Sequence, residues 1–276
     1  MRNHELRASP ASRASTQATV SGSIVPDPRA MESARAVARQ LHASLGRHLR
    51  GVILHGSGVL GDYSPTRSDL DMLAVSARDL TDLSFGEVQD RLLSLQYPAG
   101  GLELSLLSRQ DLLDARRPDP PFQIHLHTRT HESATRVVDG RGRAGDRGLV
   151  MHIAIARAHG YSAYGPDPQA LLPVLPASLV LLGVRDELLW AATHGTVEYK
   201  VFTASRAMVY IATGRFLSKA QAAHWIRSDA RSAWVTTFAD ARMLEVAAPA
   251  ISSTELAALL GRAMAAVDAA LRSADA

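Results

Sequence analysis

Apolar residues recur along the first half of the chain with two different periods. From residue 29 to residue 49 they return every three or four positions, which predicts an amphipathic helix. Three shorter apolar runs are typical of buried strands, at residues 51–55, 71–75 and 102–107. A helical pattern over 85–95 separates the last two runs, and residues 122–127 alternate as a half-exposed strand does. Strands that alternate with helices indicate an α/β domain.

Helical periodicity dominates the second half of the chain. Six helices are predicted, over residues 149–159, 177–193, 197–213, 218–228, 230–246 and 253–273. The glycine-rich stretch 139–146 has no periodicity and marks a domain boundary. The sequence therefore predicts an α/β domain over 29–147 followed by an all-α helical bundle over 148–276. Residues 1–28 are rich in Ser, Ala, Thr and Arg and predict a disordered tail.

One segment after the first predicted strand carries most of the candidate chemistry. It begins with Gly56 and Ser57 and returns through Ser68 into the pair Asp69 and Asp71. Residues two apart in a strand share a face, so the two carboxylates aim together and offer hard oxygen ligands suited to Mg²⁺. Gly56 allows a close approach of the backbone, and the Ser57 hydroxyl can hold phosphate oxygens. An isolated acidic pair is more often a solvated strand start, but the strand, spacer and second strand together favour a functional site.

This segment resembles the nucleotidyltransferase superfamily, whose members join nucleoside monophosphates to an acceptor hydroxyl or amine. That superfamily needs a third carboxylate on a neighbouring strand, and Glu103 is the only acid in the run 102–107. A lone charge in an apolar strand is costly unless it is paired or bound to a metal, which favours a role in the site. An edge position that faces water is the alternative.

The second half is similar to the helical domain of aminoglycoside adenylyltransferases, which modify streptomycin and spectinomycin. The similarity is carried by residues 198–206 (EYKVFTASR), 212–219 (ATGRFLSK) and 222–225 (AAHW), and residues 152–160 and 164–166 fit the domain junction. The resemblance covers the chain from about residue 31 to about residue 270. It implies transfer of AMP from ATP to an antibiotic hydroxyl, with Mg²⁺ as cofactor and pyrophosphate as product.

The resemblance also implies a role for each matching residue. The implied nucleotide ligands are Gly56, Ser57, Ser68, Arg206 and Lys219. The implied catalytic and metal-binding carboxylates are Asp69, Asp71 and Glu103, with Glu103 as the general base. Phosphoryl-type transfer depends on positioning and charge more than on covalent catalysis, so this set of residue types is chemically coherent. For Arg206 and Lys219 the alternative is a solvated helix face.

The candidate contacts to the acceptor lie at the end of one predicted helix and the start of the next. In the resembled enzymes, a loop with a tryptophan and two aspartates contacts the cationic drug. Trp190 matches that tryptophan, but the following segment 191–197 is shorter and contains no aspartate. Glu198 is the nearest acid. We therefore expect Trp190 and Glu198 to contact the substrate.

Four histidines are candidate zinc ligands, namely His125, His127, His131 and His152. His125 and His127 would align on one face of a strand, but no third ligand lies convincingly near them in the sequence. Scattered histidines are more often structural or surface residues, so the sequence does not predict a zinc site.

Composition narrows the class of protein. The chain has 276 residues, of which 46% are hydrophobic and 21% charged, as in soluble globular proteins. The absence of cysteine excludes disulfides, thiolate metal sites and a cysteine nucleophile. Neither a membrane-length apolar run nor a secretory signal is evident, so we expect a cytoplasmic protein with no membrane partner. The net charge of +3 comes with scattered arginines and does not indicate nucleic-acid binding. We expect a monomer.

Two alternative functions remain open from the sequence. The first keeps the chemistry but uses another small molecule or a protein as the acceptor. The second is a non-catalytic regulator that binds a nucleotide, and the presence of all three carboxylates argues against it.

Overall fold

The structure is a computed structural model that describes residues 25–95, 100–129, 132–226, 233–244 and 246–274. The tail predicted at residues 1–28 lies outside these ranges except at its end, where the Asp27 carboxylate caps the first helix. His131 also lies outside them.

The described elements follow the predicted order of an α/β part and then helices. The first part contains α1 (Pro28–Leu45), β1 (Leu49–His55), α2 (Ser57–Leu60), β2 (Asp69–Ser76), α3 (Asp82–Ser94), β3 (Gly101–Ser108), α4 (Arg109–Leu113), β4 (Ile124–Arg129) and β5 (Glu132–Asp139). The second part contains α5 (Leu149–His159), β6 (Tyr161–Tyr164), α6 (Pro168–Leu171), α7 (Ala177–His194), α8 (Val197–Thr213), α9 (Lys219–Trp225), α10 (Ala233–Met243) and α11 (Ser253–Ala274). The predicted fold class is confirmed.

Among the described residues, the five strands of the first part form a mixed sheet with β6 of the second part, in the order β5-β4-β3-β2-β1-β6. Only β2 and β3 run parallel, and α3 provides the crossover that parallel neighbours require. Helices α1 and α3 cover one face of the sheet, where Leu41 and Leu92 join the apolar side chains of the central strands. On the opposite face, α5 packs Ile153 into a second apolar cluster with Ile53 and Leu73.

The helices of the second part enclose a separate apolar cluster, which includes Phe202, Phe238 and Leu259. Helix α5 contacts both regions, because Ile153 belongs to the sheet cluster whereas Met151 packs against the helical one. The predicted boundary at residue 147 stays a prediction. No helix in the described part of the chain is long and apolar enough to cross a membrane.

Two strands of the sheet have no counterpart in the sequence prediction. Strand β5 was not predicted, and β6 lies in the half that was expected to be all-α, so that expectation is wrong at residues 161–164. Strand β6 has four residues and none of them is buried, so it lacks the alternation that identifies a strand. It forms by pairing with β1, a non-local contact that local pattern does not encode.

Candidate active site

A row of polar side chains crosses the sheet on the face that carries α5. The register aligns His55 of β1 with Asp71 of β2, Asp71 with Glu103 of β3, and Glu103 with His127 of β4. Side chains at aligned positions of neighbouring strands share a face. Asp69 lies two residues before Asp71 and therefore points the same way. The three predicted carboxylates, Asp69, Asp71 and Glu103, are thus side by side at one end of two central strands, and we call them the acidic row.

Two glycines leave the room that the aspartate carboxylates occupy. Gly56 has a φ of 61°, and a Cβ atom there would lie 1.9 Å from Oδ2 of Asp71. A Cβ atom at Gly101 would lie 2.5 Å from Oδ1 of Asp69. Both distances are far below van der Waals contact, so the carboxylates pack directly on backbone. Gly56 was predicted from the sequence, whereas the fit of Gly101 against Asp69 depends on strand register.

The crowding of acids in the row perturbs Asp71 strongly. Burial and the negative charge of Glu103 raise the pKa of Asp71 to about 7, and Asp69 adds to the effect. Nearby His152 and Lys219 oppose the rise. In the described part of the chain, no group of three or more acid or histidine side chains is already arranged around a metal position. The acids are nevertheless adjacent, and their repulsion is the kind that a bound cation relieves.

The raised pKa of Asp71 predicts a pH dependence of folding stability. A carboxyl that titrates near 7 in the folded state and at 3.8 in the unfolded chain destabilises the fold as pH rises between those values. We therefore expect Asp71→Asn to be more stable than the wild type at pH 8 without divalent cations. The advantage should be roughly 1–3 kcal/mol larger at pH 8 than at pH 5. Urea unfolding at both pH values measures it.

The control for this stability measurement is Asp90→Asn, which changes an aspartate on α3, away from the acidic row. The difference in stability between Asp90→Asn and the wild type should change less between pH 5 and pH 8 than the difference for Asp71→Asn. A difference between Asp71→Asn and the wild type that stays constant from pH 5 to pH 8 would contradict the proposed crowding.

The two predicted phosphate-binding serines flank the loop between β1 and β2. Ser57 is the first residue of α2 and is half-buried. The Ser68 hydroxyl oxygen accepts a hydrogen bond from the Ser64 backbone N–H at 3.0 Å, which closes the loop immediately before Asp69. A hydroxyl that accepts one hydrogen bond can also donate its own proton to a ligand.

Lys219 of α9 and Arg206 of α8 are the predicted nucleotide contacts from the helical part. Lys219 keeps an exposed surface, yet its Nζ lies 6.0 Å from the centre of the Phe202 ring. Desolvation and the charge of Arg206 lower the pKa of Lys219, whereas the carboxylates of Glu198, Asp71 and Asp62 oppose this. The two basic side chains therefore lie near each other, and Lys219 lies near the acidic row.

Two contacts that the sequence did not predict tie the β1–β2 loop to the helices. Oδ2 of Asp62 accepts a hydrogen bond from the Ala220 backbone N–H at 2.9 Å, beside Lys219 at the start of α9. The Arg67 guanidinium donates to the Arg242 carbonyl oxygen at 3.0 Å. The partners are 158 and 175 positions apart in the sequence, so only the folded structure reveals them.

The candidate acceptor contacts lie at adjoining ends of α7 and α8. Trp190 is 51% exposed, stacks on His194 with ring centres 5.5 Å apart, and meets the Tyr199 ring edge-on at 5.2 Å. The Tyr199 hydroxyl donates to the Glu187 carboxylate. Burial raises the pKa of Tyr199, and both Glu187 and Glu103 contribute. An exposed aromatic surface therefore lies close to the acidic row.

Glu198 is not a free acid in this arrangement. Its carboxylate accepts a hydrogen bond from Nε of Arg242 at 2.6 Å and forms an ion pair with the same guanidinium. Glu187, which was not predicted as a site residue, is a second acid at this end of the helices. Its position one helical turn before Trp190 could have identified it.

Two of the candidate zinc-ligand histidines lie against the acids instead. Nε2 of His127 is 3.8 Å from Oδ2 of Asp69, and Nε2 of His152 is 3.6 Å from Oε1 of Glu103. Nδ1 of His125 forms a hydrogen bond of 2.8 Å with the Ser105 hydroxyl, which is buried.

The chain has recognisable relatives among known proteins, although no protein-family model matches it. It is 26% identical over 188 residues to spectinomycin 9-adenylyltransferase of Staphylococcus aureus strain Mu50, and equally similar to that of strain N315. Each alignment covers 65% of this chain and 71% of the relative.

A solved structure matches over most of both chains. It is the spectinomycin adenyltransferase AAD(9) from Enterococcus faecialis, with ATP and spectinomycin. The TM-score is 0.60 at 19% identity, and the match covers 86% of this chain and 98% of the other. The likeness identifies a nucleotidyltransferase fold. Together with the sequence relatives, it confirms the resemblance to aminoglycoside adenylyltransferases.

Proposed function

We propose that this chain is an ATP-dependent adenylyltransferase that transfers AMP to a hydroxyl of an aminocyclitol or aminoglycoside antibiotic, with spectinomycin as the first acceptor to test. The observation that supports this proposal most directly is the alignment of Asp69, Asp71 and Glu103 across two neighbouring strands. Lys219 of the helical part lies close to these carboxylates. The sequence relatives and the fold support the same reaction. We further propose that the chain acts as a cytoplasmic monomer.

Asp69 and Asp71 are the proposed ligands of Mg²⁺, with Glu103 beside them. The donor set fits this ion, because the ligands are carboxylate oxygens on one face, and burial together with the charges of Glu103 and Asp69 already raises the pKa of Asp71. When bound, Mg²⁺ supplies positive charge that stabilises the triphosphate and the leaving pyrophosphate. Gly56 gives the nucleotide access to the backbone beside Asp71.

The remaining nucleotide contacts come from both parts of the chain. Ser57 and Ser68 offer hydroxyl donors from the β1–β2 loop. Arg206 and Lys219 offer positive charge from α8 and α9, and the Asp62–Ala220 hydrogen bond fixes the start of α9. The nucleotide would then bridge the two parts, as ligands at such junctions often do.

Glu103 is the proposed general base. Its side chain is 29% exposed, so an acceptor hydroxyl can reach it. Glu103 takes the hydroxyl proton while the acceptor oxygen forms a bond to the α-phosphorus of ATP. The bond from that phosphorus to the bridging oxygen breaks, and pyrophosphate leaves with the electron pair. AMP remains joined to the acceptor.

The exposed aromatic surface of Trp190, His194 and Tyr199 suits a cationic acceptor. Aromatic faces attract ammonium groups, and Glu187 adds a negative charge at the same place. Glu198 would act on the acceptor only indirectly while Arg242 holds its carboxylate.

An acceptor panel tests the proposal. Purified protein with MgATP is offered spectinomycin, streptomycin and, separately, no acceptor, and pyrophosphate release is measured with mass spectrometry of the antibiotic. We expect release that depends on spectinomycin, streptomycin or both, and a product that carries one AMP. Pyrophosphate release at the same rate without an acceptor would contradict it.

Removing either basic residue should weaken ATP binding. We expect Lys219→Ala and Arg206→Ala each to raise the Kd for MgATP by about tenfold, as is typical when one charged contact is lost. Because both side chains would serve one ligand, the double variant should lose less than the sum of the two free-energy changes. Thermal-shift titration with MgATP measures all three.

Lys200→Ala is the matched control for the ATP titration. Lys200 is the other lysine of the chain and lies on α8, the helix that also carries Arg206. Its titration curve should match that of the wild type. Curves for Lys219→Ala and Arg206→Ala that coincide with the wild type would contradict a nucleotide site spanning both parts.

A further inference from the structure

Helix α5 directs one histidine at the proposed base. Nε2 of His152 lies 3.6 Å from Oε1 of Glu103, and the two side chains are 25% and 29% exposed. Among the described residues, the ion-pair contact of the Glu103 carboxylate is with His152. The other neighbours of Glu103 in the row include Asp71, which repels its negative charge.

The imidazole of His152 is itself held in place by His55. The two rings lie 5.2 Å apart at an angle of 81°, an edge-to-face contact. His55 is 2% exposed, and its Nε2 has no hydrogen-bond partner among the described residues. The edge-to-face contact with this buried ring restricts the orientation of the His152 imidazole.

We infer that His152 is a positioning residue for Glu103: its Nε2–H holds one carboxylate oxygen, so that the other faces the acceptor hydroxyl. This inference rests on the proposed function, in which Glu103 is the base. A glutamate side chain has three rotatable bonds and moves freely unless a donor restrains its carboxylate. Catalytic hydrogen bonds are often long without ligands and shorten in the reacting complex, so a separation of 3.6 Å suits this role.

The competing explanation is that His152 only fills space against His55. The two explanations differ in which replacement the site tolerates. A glutamine at position 152 keeps an N–H donor at a similar reach, whereas a leucine keeps apolar volume and loses the donor. A positioning role therefore predicts that glutamine is better than leucine, and a packing role predicts that leucine is at least as good as glutamine.

The kinetic test compares His152→Leu, His152→Gln and the wild type. We expect His152→Leu to lower kcat by roughly 10- to 100-fold, the size expected when a catalytic group is misplaced. The Kd for MgATP and the KM for the acceptor should stay within about twofold, and His152→Gln should recover kcat to within about threefold of the wild type. Wild-type kcat in His152→Leu, or equal losses in both variants, would overturn the inference.

The matched control is His159→Leu, on the same helix two turns later. His159 meets the Phe216 ring edge-on at 6.4 Å and lies away from the acidic row. Its kcat should stay within about twofold of the wild type, the usual range for a residue without a catalytic contact. A loss equal to that of His152→Leu would show a general effect of perturbing α5 and would overturn the inference.

A second readout does not depend on turnover. Glutamate labelled with ¹³C at the side-chain carboxyl gives a Glu103 resonance, identified by its absence in Glu103→Gln. That resonance should move in His152→Leu and return in His152→Gln, and an unchanged position in both would overturn the inference. If the wild type has no activity with any acceptor, the proposed function fails, whereas this measurement still decides whether His152 restrains Glu103.

Discussion

Replacing Glu103 by glutamine should lower kcat by roughly 100-fold or more while the Kd for MgATP stays within about twofold. The Glu103→Gln side chain would keep its size and hydrogen-bonding reach but would be unable to accept a proton. The loss of one negative charge should also relieve Asp71, which Glu103 now repels. Steady-state kinetics gives kcat, and isothermal titration calorimetry gives the nucleotide affinity.

Glu87→Gln is the control for Glu103→Gln, because it makes the same change on the exposed side of α3, where Glu87 pairs with Arg91. Its kcat should match the wild type. A Glu103→Gln variant that fails to bind MgATP would identify Glu103 as a nucleotide-site ligand. Full turnover in Glu103→Gln would exclude it as the base.

Replacing Gly56 by alanine should reduce turnover to a similar extent, by a different route. The new Cβ atom would lie 1.9 Å from Oδ2 of Asp71, so the carboxylate or the loop must move. Misplacing a group at a reacting centre by about 1 Å can cost on the order of 100-fold in rate. We expect Gly56→Ala to remain folded by circular dichroism and to lose turnover by roughly that factor.

Gly61→Ala is the control for placing an alanine at a positive φ beside α2 without a collision. Gly61 also has a positive φ, of 99°, but a Cβ atom there meets nothing within 4 Å. An alanine at Gly61, in the left-handed αL region, costs about 1–2 kcal/mol and leaves Asp69, Asp71 and Glu103 undisturbed. Gly56, with a ψ of −140°, lies in a region that favours glycine more strongly, so its replacement adds strain to the collision. Equal turnover in Gly56→Ala and Gly61→Ala would show that the close approach to Asp71 has no catalytic importance.

The local parts of this site could be predicted from the sequence. Asp69 and Asp71 share a face because strand geometry has a period of two, and the apolar run that follows them identifies the strand. Gly56 and Ser57 end the preceding run, so the turn between the strands was also evident. The later helices and their order along the chain could be predicted because their apolar residues recur every three or four positions.

The non-local parts could not be predicted. The contact of His152 with Glu103 depends on which side of α5 packs against the sheet. The hydrogen bond from Ala220 to Asp62 depends on how the helices dock against the β1–β2 loop. Glu198 was expected to contact a cationic substrate, but Arg242 reaches its carboxylate from α10. Local pattern carries no information on any of these pairings.

We propose that Asp69, Asp71 and Glu103 support transfer of AMP from ATP to an acceptor hydroxyl. The most direct test uses ATP labelled at the α-phosphorus or, in parallel, at the γ-phosphorus, with spectinomycin as the acceptor. We predict that the α-label moves onto the antibiotic, that the γ-label is released in pyrophosphate, and that neither transfer occurs with Glu103→Gln. Transfer of the γ-label to the antibiotic, or release of label as inorganic phosphate, would contradict AMP transfer by this site.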